Sequence, residues 1–372
     1  MKKLFYYIYA LFFHIGRLLP QNKKLVALIS PHNASLNDSL GEIKRVLEQK
    51  GGYDFLIVSG SDIRSQKSLS HLIRFFIINP VRLARVKYIF LNDNFMPMAY
   101  LHLRKGTVVT QLWHGEGALK KICLALNLPE DVVRLEKKVY RNYTYVIVSS
   151  EAIVPMWAQA FNKEEKDVLP LGSPRTDPFF RPFDYETNRA EFDRQYPECK
   201  GKKLVIYAPT FRDSPEQDKE ILEHFDTKKF NALFGNEYAL LIRLHPQVHS
   251  INDFGSAVNI TAYPDIIKLL HLTDVLITDY SSVFMDYVLL DKPCVFYPYD
   301  YEEYIKGREL FTDYFENVPG PVVRTFDELT EVMKSPQVDA QKYSAFKAYH
   351  LGSCDGSSAE RVVETVMKTE RG

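Results

Sequence analysis

Cysteine is scarce in this chain, and its few copies are too scattered to form a metal site or a disulfide framework. The 372 residues contain four cysteines, at positions 123, 199, 294 and 354. None of them forms a Cys-x-x-Cys pair, the spacing typical of structural zinc sites. No Asp-x-Asp motif or His/Cys/carboxylate cluster near the candidate functional residues offers another ligand set. We therefore expect reduced, structural thiols in a cytosolic compartment and no metal held by the protein.

The chain also lacks an excess of either charge. Lysine plus arginine and aspartate plus glutamate each total 47, so the formal net charge is zero. A protein that binds nucleic acid in general normally carries a basic excess. The balance therefore argues against a nucleic-acid partner.

The apolar run at the N-terminus, residues 4–15 (LFYYIYALFFHI), is too short to cross a bilayer, which takes about 20 residues. It has the charged start of a signal peptide, but no convincing small-residue cleavage site follows. Two interpretations stay open. The run is either a helix in the core of the first domain or a helix in the membrane interface, with nearby cations close to anionic headgroups. These cations are Lys2, Lys3, Arg17, Lys23 and Lys24.

What the sequence does have is a regular alternation of apolar strands with helices, over a length that exceeds one typical domain. Strands are predicted at 25–30, 54–59, 87–91, 107–112 and 145–149, and again at 203–207, 238–244, 258–261, 275–277 and 295–297. Helices are predicted at 39–49, 129–140, 264–271, 325–334, 340–349 and 358–368. Strands separated by helices form parallel sheets with right-handed crossovers, so the fold class is α/β.

A stretch rich in proline, glycine and turn-forming residues at 169–181 suggests where one domain ends. We predict an N-terminal helix within 1–24 and two Rossmann-like domains at 25–182 and 183–340. The helices within 341–372 could belong to either domain.

One segment of the second half predicts a phosphate site. Residues 275–277 form a strand and a helix follows, and the polar Thr278, Asp279, Ser281 and Ser282 fall between them. Ser and Thr at such a point cap free backbone N–H groups, and the helix dipole favours an anion beside them. Ligands of open α/β sheets bind outside the carboxyl ends of the strands. An ordinary helix cap has the same signature, so other motifs of the chain are needed to distinguish a phosphate site from a cap.

Two of those motifs place a histidine directly after or at the end of a predicted strand. His114 stands in Trp-His-Gly after the strand at 107–112, and His245 stands in Arg-Leu-His-Pro, with Pro246 ending the element. An unperturbed histidine titrates at about pH 6.5 and can accept a proton at neutral pH. Each histidine could equally be a hydrogen-bonded turn residue.

In order and spacing, these motifs resemble those of the CDP-glycerol glycerophosphotransferase family, which includes teichoic acid primases, polymerases and their ribitol-phosphate relatives. The resemblance covers about residues 105–330, with further matching stretches at 119–122, 172–177, 207–213 and 316–321. It implies a GT-B-like fold in which two Rossmann-like domains face across a cleft. Because the family's acceptor is lipid-linked, it also favours the membrane-interface interpretation of the N-terminal helix. We therefore expect a peripheral protein at the cytoplasmic face of the cell membrane, in contact with its anionic surface.

On the acceptor side, the resemblance implies that His114 is the base that deprotonates the acceptor hydroxyl. Gly115 lets the backbone approach a substrate closely. Glu116, Lys120 and Arg175 complete the candidate acceptor residues, although Arg175 could equally form a hinge salt bridge.

The chain departs from the family pattern at two places on this side. Glu116 stands where the family usually has a threonine, and Ser173 stands where it commonly has a tyrosine. Glu116 would add a charge near the acceptor, which leaves the identity of the acceptor open.

On the donor side, the resemblance assigns His245 to the diphosphate and leaving group. Ser281 and Ser282, with Thr278, would hold the phosphates, while Asp279 would orient a hydroxyl or cap the helix. Thr210 and Arg212 could flank the cleft, since a guanidinium matches a phosphate well. A hinge salt bridge is the alternative for Arg212.

The predicted reaction moves glycerol phosphate from CDP-glycerol to a hydroxyl of an undecaprenyl-diphosphate-linked saccharide and releases CMP. We expect no cofactor, although Mg²⁺ could accompany the substrate diphosphate. A related CDP-ribitol or nucleotide-sugar transferase, for capsule or another glycan, is one alternative, and a non-catalytic membrane-surface scaffold is another. Glycerol versus ribitol, single versus repeated transfer and a possible homo-oligomer stay open.

Overall fold

The computed structural model describes residues 2–32, 35–36, 38–61, 68–212, 214–245, 248 and 250–368. Asp213 and Pro246, which belong to two of the motifs above, lie outside the described residues, as do residues 1 and 369–372 of the predicted terminal segments.

The strands in chain order are β1 Asn22–Ser30, β2 Asp54–Ser59, β3 Val86–Leu91, β4 Val108–Gln111, β5 Tyr145–Ile147, β6 Val168–Leu169, β7 Lys203–Ala208, β8 Tyr238–Ile242, β9 Val258–Asn259, β10 Val275–Thr278 and β11 Cys294–Phe296. The helices are α1 Lys2–Gly16, α2 Ser39–Lys50, α3 Leu69–Ile73, α4 Asn79–Leu83, α5 Glu130–Tyr140, α6 Val154–Phe161, α7 Tyr185–Gln195, α8 Pro215–Glu223, α9 Thr227–Phe234, α10 Ile266–Leu272, α11 Val283–Tyr287, α12 Tyr301–Gly307, α13 Tyr314–Asn317, α14 Phe326–Met333, α15 Ala340–Leu351 and α16 Ser358–Lys368. A π-helical turn, Arg74–Ile78, joins α3 to α4, and short 3-10 turns include Met96–Tyr100, Cys123–Ala125 and Pro174–Phe180.

The chain divides into two compact units. Unit 1 comprises the residues up to Phe180 together with those from Tyr349 onward, and unit 2 comprises Arg181–Ala348. The change of unit at Phe180 lies close to the boundary predicted after residue 182. Helix α15 begins in unit 2 and ends in unit 1. Helix α16, which follows it, belongs to unit 1.

Unit 1 contains a parallel sheet with the strand order β2-β1-β3-β4-β5-β6. Its central strands are continuous apolar runs because a parallel sheet is covered on both faces. In register, β1 pairs with β3 at Ile29 and Leu91, and β3 pairs with β4 at Leu91 and Gln111. The residues that follow these strands therefore meet at one edge of the sheet.

Helix α16 covers one face of this sheet. Its buried residues Ala359, Val362 and Val366 join the core formed by the strands and α2. Its first backbone N–H groups, those of Ser358 and Ala359, donate to the carboxylate of the fully buried Asp177 at 2.9 and 2.8 Å. Asp177, part of the Gly-Ser-Pro-Arg motif region, thus anchors the end of the chain to unit 1.

Helix α1 has one buried side and one exposed side, and its contact with a membrane stays a prediction. One side buries Tyr9 and Phe13, whereas Leu4, Tyr7 and Leu11 on the other side are exposed to 62%, 59% and 57%. Among the described residues, none of the helices combines the length and apolar character that crossing a membrane requires.

Unit 2 contains a second parallel sheet, with the order β11-β10-β7-β8-β9. Strand β10 pairs with β7 at Thr278 and Ala208, and β7 pairs with β8 at Tyr207 and Ile242. The motifs that follow β7, β8 and β10 therefore share one edge of this sheet, as the sequence predicted from their position after strands.

Several elements were not predicted. The predicted strands do not include β6, and the predicted helices do not include α3, α4, α6, α7, α8, α9, α12 and α13. Strand β8 ends at Ile242 rather than 244, because the N–H of Leu244 donates to the Thr261 hydroxyl instead of the neighbouring strand. The helix predicted after the 278–282 cluster is present as the short α11, Val283–Tyr287.

Candidate active site

His114 lies in the loop after β4 with its side chain half exposed. The residue before it, Trp113, has a left-handed backbone with φ 57°, which is rare for a bulky side chain and indicates stored strain. Its N–H donates to Oε1 of Gln111 at 2.9 Å, and its indole stacks on the imidazole with centroids 4.3 Å apart. The turn at Trp113 thus directs His114 outward from the edge of the sheet.

The imidazole of His114 is oriented by the loop after β3. Its Nδ1 lies 3.3 Å from the carbonyl oxygen of Asn92 and 3.5 Å from Oδ2 of Asp93. A carbonyl oxygen can only accept, so the contact requires a proton on Nδ1. Nε2 is then the nitrogen with the lone pair, the form in which His114 can serve as a base.

The backbone of His114 is held by a polar cluster of the buried Glu116 and Ser173 with the partly buried Arg175. Nη1 of Arg175 donates to the carbonyl oxygen of His114 at 2.9 Å and to Oε2 of Glu116 at 3.3 Å. The Ser173 hydroxyl donates to Oε1 of Glu116 at 2.7 Å. Glu116 is only 7% exposed. The expectation that Glu116 adds a charge on the acceptor side therefore needs correction: the carboxylate is turned inward and paired.

The two glycines of this loop differ in what they do. Gly117 has φ 70°, a conformation that favours glycine, and its N–H donates to the Ser149 hydroxyl. Gly115 has an ordinary φ, and a Cβ placed there would meet open space. The tight turn is therefore at Gly117, while Gly115 leaves room beside His114. Lys120, further along, is partly buried.

In unit 2, Arg212 is the centre of a buried network. Its guanidinium donates to Oδ2 of Asp279 at 2.9 Å, to Oδ2 of Asp300 at 2.6 Å and to the carbonyl oxygen of Thr210 at 2.5 Å. Burial by itself lowers the pKa of Arg212, but Asp279 and Asp300 outweigh it and raise that pKa. Arg212 is 8% exposed. The structure thus shows the salt-bridge alternative for Arg212, within one unit.

Three other residues predicted to bind the donor substrate belong to the same buried network. Asp279 is fully buried and accepts from the N–H of Thr210 at 2.8 Å, besides its bond with Arg212. Thr278 is fully buried and donates to the carbonyl oxygen of Ala208 at 2.6 Å. Thr278, Asp279, Thr210 and Arg212 therefore brace the ends of β7 and β10, and their side chains do not face solvent.

The exposed part of this edge consists of other residues. Ser281 is partly buried and Ser282 is exposed, at the start of α11. His245 is exposed, and its ring packs against Phe211 with centroids 4.7 Å apart. The guanidinium of Arg308 lies 5.1 Å from the centroid of the same Phe211 ring. A cation that the sequence analysis did not single out thus joins His245 at the carboxyl ends of the unit 2 strands.

Unit 1 also contains an aromatic pocket of about 360 Å³ near the loops after β1 and β3. Its wall combines α1, the π-helical turn and the 94–97 loop. The lining residues are Phe5, Tyr6, Tyr9, Pro31, His32, Phe75, Phe76, Asn94, Phe95, Met96 and Pro97. The sequence analysis did not predict this pocket, because its wall is assembled from segments far apart in the chain.

Within the part of the chain that the structure describes, no three or more His, Cys, Asp or Glu side chains are arranged to hold a metal ion. The expectation that the chemistry needs no metal held by the protein stays a prediction.

The family model described as CDP-Glycerol:Poly(glycerophosphate) glycerophosphotransferase matches residues 11–368. The chain belongs to this family. Membership assigns it to the phosphotransferases of teichoic acid synthesis, as the motifs predicted.

Curated members of the glycerophosphotransferase family match along most of the chain. A teichoic acid ribitol-phosphate primase of Bacillus spizizenii is 34% identical over 95% of this chain and 93% of its own length. A poly(ribitol-phosphate) polymerase of the same species is 33% identical over 98% of this chain, which spans 59% of that protein. A glycerol-phosphate primase of Bacillus subtilis is 29% identical over 77% of both chains.

Solved structures show the same fold. A variant of the wall teichoic acid polymerase TagF superposes with a TM-score of 0.79 at 21% identity, covering 98% of this chain and 93% of that chain. A UDP-GlcNAc 2-epimerase of Methanocaldococcus jannaschii superposes with a TM-score of 0.58 at 13% identity, covering 93% and 100%. The α/β, GT-B-like fold class predicted for this member of the glycerophosphotransferase family is confirmed.

Proposed function

We propose that this chain transfers the phosphoalditol group of a CDP-alditol to a hydroxyl of a lipid-linked saccharide and releases CMP. The family match over residues 11–368 supports the reaction class. The proposal depends most on the position of His114. This residue is half exposed after the end of β4, and its Nδ1 contacts the protein, which leaves Nε2 as the basic nitrogen.

In the proposed reaction, His114 acts as the general base. Nε2 takes the proton of the acceptor hydroxyl, the hydroxyl oxygen forms a bond to the phosphorus that bears the alditol, and the bond from that phosphorus to the CMP oxygen breaks. A positioned general base contributes about 10²–10⁴-fold to such a step. The imidazolium that results donates from Nδ1 to the loop after β3.

The donor diphosphate is proposed to bind the exposed edge of unit 2. His245 and Arg308, together with Ser281 and Ser282, supply donors and positive charge there. Phosphoryl transfer depends mainly on positioning and on stabilising charge, so cations and N–H groups serve better than nucleophiles. The network of Arg212, Asp279 and Thr210 acts beneath them by holding the strand ends in place.

CDP-ribitol is the donor that we propose to test first. The two relatives from Bacillus spizizenii that act on ribitol phosphate are 33% and 34% identical over nearly the whole chain. CDP-glycerol, predicted from the motifs, is the second candidate, because a glycerol-phosphate primase matches at 29% and one structure of a TagF variant was obtained after a soak with CDPG.

A lipid-linked acceptor at a membrane surface is proposed from the apolar features of unit 1. Helix α1 exposes Leu4, Tyr7 and Leu11, and the adjoining 69–78 segment exposes Leu69 and Ile73. An apolar face that is flanked by basic residues binds the interface of anionic membranes. The aromatic pocket beside His32 offers a place for part of an apolar chain.

The reaction is tested by offering CDP-ribitol, CDP-glycerol and nucleotide sugars in parallel, each with a soluble lipid-linked saccharide analogue. Released CMP, UMP and UDP are measured, and product length is read by mass. We expect CMP from a CDP-alditol and a drop of about 10²–10⁴-fold for His114→Asn. His102→Asn, at another exposed histidine of unit 1, is the matched control. The proposal is contradicted if only the nucleotide sugars release their nucleotide, or if none of the donors releases one.

Membrane association is tested by surface substitution, because truncation of α1 would also remove the buried Tyr9 and Phe13. The variant Leu4→Gln/Tyr7→Gln/Leu11→Gln should lose sedimentation with anionic liposomes while retaining its unfolding midpoint. Leu233→Gln, at an exposed apolar residue of unit 2, is the control. Sedimentation of the triple variant at the parent level would refute an interfacial role for α1.

A further inference from the structure

Asp93 places one carboxylate oxygen between two imidazoles. Its Oδ2 lies 3.5 Å from Nδ1 of His114 and 3.2 Å from Nε2 of His32. The Asp93 side chain is 15% exposed, whereas those of His32 and His114 are 70% and 50% exposed. The two histidines follow β1 and β4, and Asp93 follows β3, the strand between them.

The position of Asp93 is set by contacts that do not involve the histidines. Its Oδ1 accepts from the N–H of Asn94 at 2.6 Å, which leaves Oδ2 toward the imidazoles. Its carbonyl oxygen accepts from Nε2 of the fully buried Gln111 at 3.2 Å, and Oε1 of Gln111 accepts from the N–H of Trp113. One side chain of β4 therefore ties the loop that bears Asp93 to the loop that bears His114.

We propose that Asp93 is a positioning residue that holds the imidazole of His114 for catalysis, and that His32 competes for the same carboxylate oxygen. This inference rests on the proposed function of His114 as the base. The Asn92 carbonyl accepts the hydrogen bond from Nδ1, and the nearby Asp93 carboxylate also favours the proton on that nitrogen. When Nε2 takes the acceptor proton, the negative charge of Asp93 stabilises the imidazolium. A protonated His32 forms an ion pair with Oδ2 and thereby withdraws that stabilisation.

The other charges around His114 do not replace Asp93. Arg175 contacts the carbonyl oxygen of His114 and is paired with Glu116, so this pair acts on the backbone of the loop. Among the ion pairs of the described residues, Asp93 is the carboxylate that lies within 4 Å of the His114 ring.

Kinetics of Asp93→Asn, Asp93→Glu and His32→Gln test the inference, with Asp131→Asn on the exposed surface of α5 as the control. For Asp93→Asn we expect kcat to fall about 10–100-fold, a part of the contribution of a general base, with KM within about twofold. Asp93→Glu should restore part of kcat. In His32→Gln kcat should not fall, because the competing contact with Oδ2 of Asp93 is lost.

A measurement without turnover separates this inference from the proposed reaction. Long-range ¹H–¹⁵N spectra of the histidine rings report which nitrogen of His114 carries the proton. We expect the Nδ1–H form in the parent and a smaller population of that form in Asp93→Asn. A changed tautomer population with no CMP release from any donor would leave the Asp93 contact standing and refute the reaction. An unchanged tautomer population and an unchanged kcat in folded Asp93→Asn would overturn the inference.

Discussion

The hydroxyl of Ser173 donates a 2.7 Å hydrogen bond to Oε1 of Glu116. Glu116 and Ser173 each stand where the family resemblance implied another residue, and they contact each other. A buried carboxylate needs donors, and the Ser173 hydroxyl supplies one while Arg175 supplies the charge. Glu116 and Ser173 are therefore coupled in the support of the His114 loop.

A double-mutant cycle checks this coupling. Glu116→Ala should lower the free energy of unfolding of unit 1 by about 1–3 kcal/mol, because it leaves buried donors without their acceptor. Ser173→Ala should lower this free energy of unfolding by less than Glu116→Ala does. The double variant should differ from the sum by about 0.5–3 kcal/mol, as contacting residues do. Tryptophan fluorescence during chemical denaturation reports on unit 1 specifically, because both tryptophans, Trp113 and Trp157, belong to it. Strict additivity would contradict the coupling.

The glycines beside His114 should respond differently to alanine. Gly117→Ala forces a side chain into a left-handed conformation and should cost about 1–2 kcal/mol in stability. Gly115→Ala meets open space and should change stability by less than about 0.5 kcal/mol. If the acceptor passes close to Gly115, its KM should rise in Gly115→Ala while the KM of the donor is unchanged. Equal stability losses in the two variants would contradict the assignment of the turn.

His350 should make unit 1 sensitive to acid. Its Nδ1 accepts from the N–H of Ala118 at 3.2 Å, and burial lowers its pKa from 6.5 to about 4. The unfolded chain therefore binds a proton at a higher pH than the folded chain does. This contribution to stability is complete above about pH 6.5 and is lost as the pH falls toward 4, by about 3 kcal/mol in total.

The matched variant for this prediction is His350→Asn, whose side-chain oxygen can accept from Ala118 but does not titrate. Unfolding of both proteins is followed by tryptophan fluorescence from pH 7 to 4. The parent should lose stability more steeply than His350→Asn over that interval. Parallel pH dependences would show that His350 is not the group responsible.

Replacing Arg212 should destabilise unit 2 more than replacing an exposed arginine does. Arg212→Met leaves Asp279 buried without its counter-charge, which typically costs about 3–5 kcal/mol. Arg324→Met, at an exposed pair with Glu302, should cost about 1 kcal/mol or less. Amide hydrogen exchange of β10 measures both, since the tryptophans lie in the other unit. Similar protection in the two variants would contradict the role of Arg212 as the centre of the network.

The sequence predicted the strands well because their signal is local. Continuous apolar runs such as 25–30 and 275–277 can only be satisfied by burial on both faces of a sheet, and the observed strands match the predicted ones within a few residues. The same local rule could have identified Asp93, since Asn92 and Asp93 are polar residues directly after a buried strand, like the residues at 278–282. Arg308 carries no such signal, because it follows a helix and reaches Phe211 only through the fold.

By itself, the sequence determined the α/β fold class, the two sheets and the family, because apolar periodicity and motif order are properties of the chain in its linear order. Only the tertiary structure decided which polar residues face solvent. Thr278, Asp279 and Arg212 have the residue types of a phosphate site, yet they are buried among one another, while Asp93 lies beside His114 and Arg308 packs on the Phe211 ring that also contacts His245. The physical reason is that a charge inside a protein needs a partner, and partners from distant strands meet only when the sheet is formed.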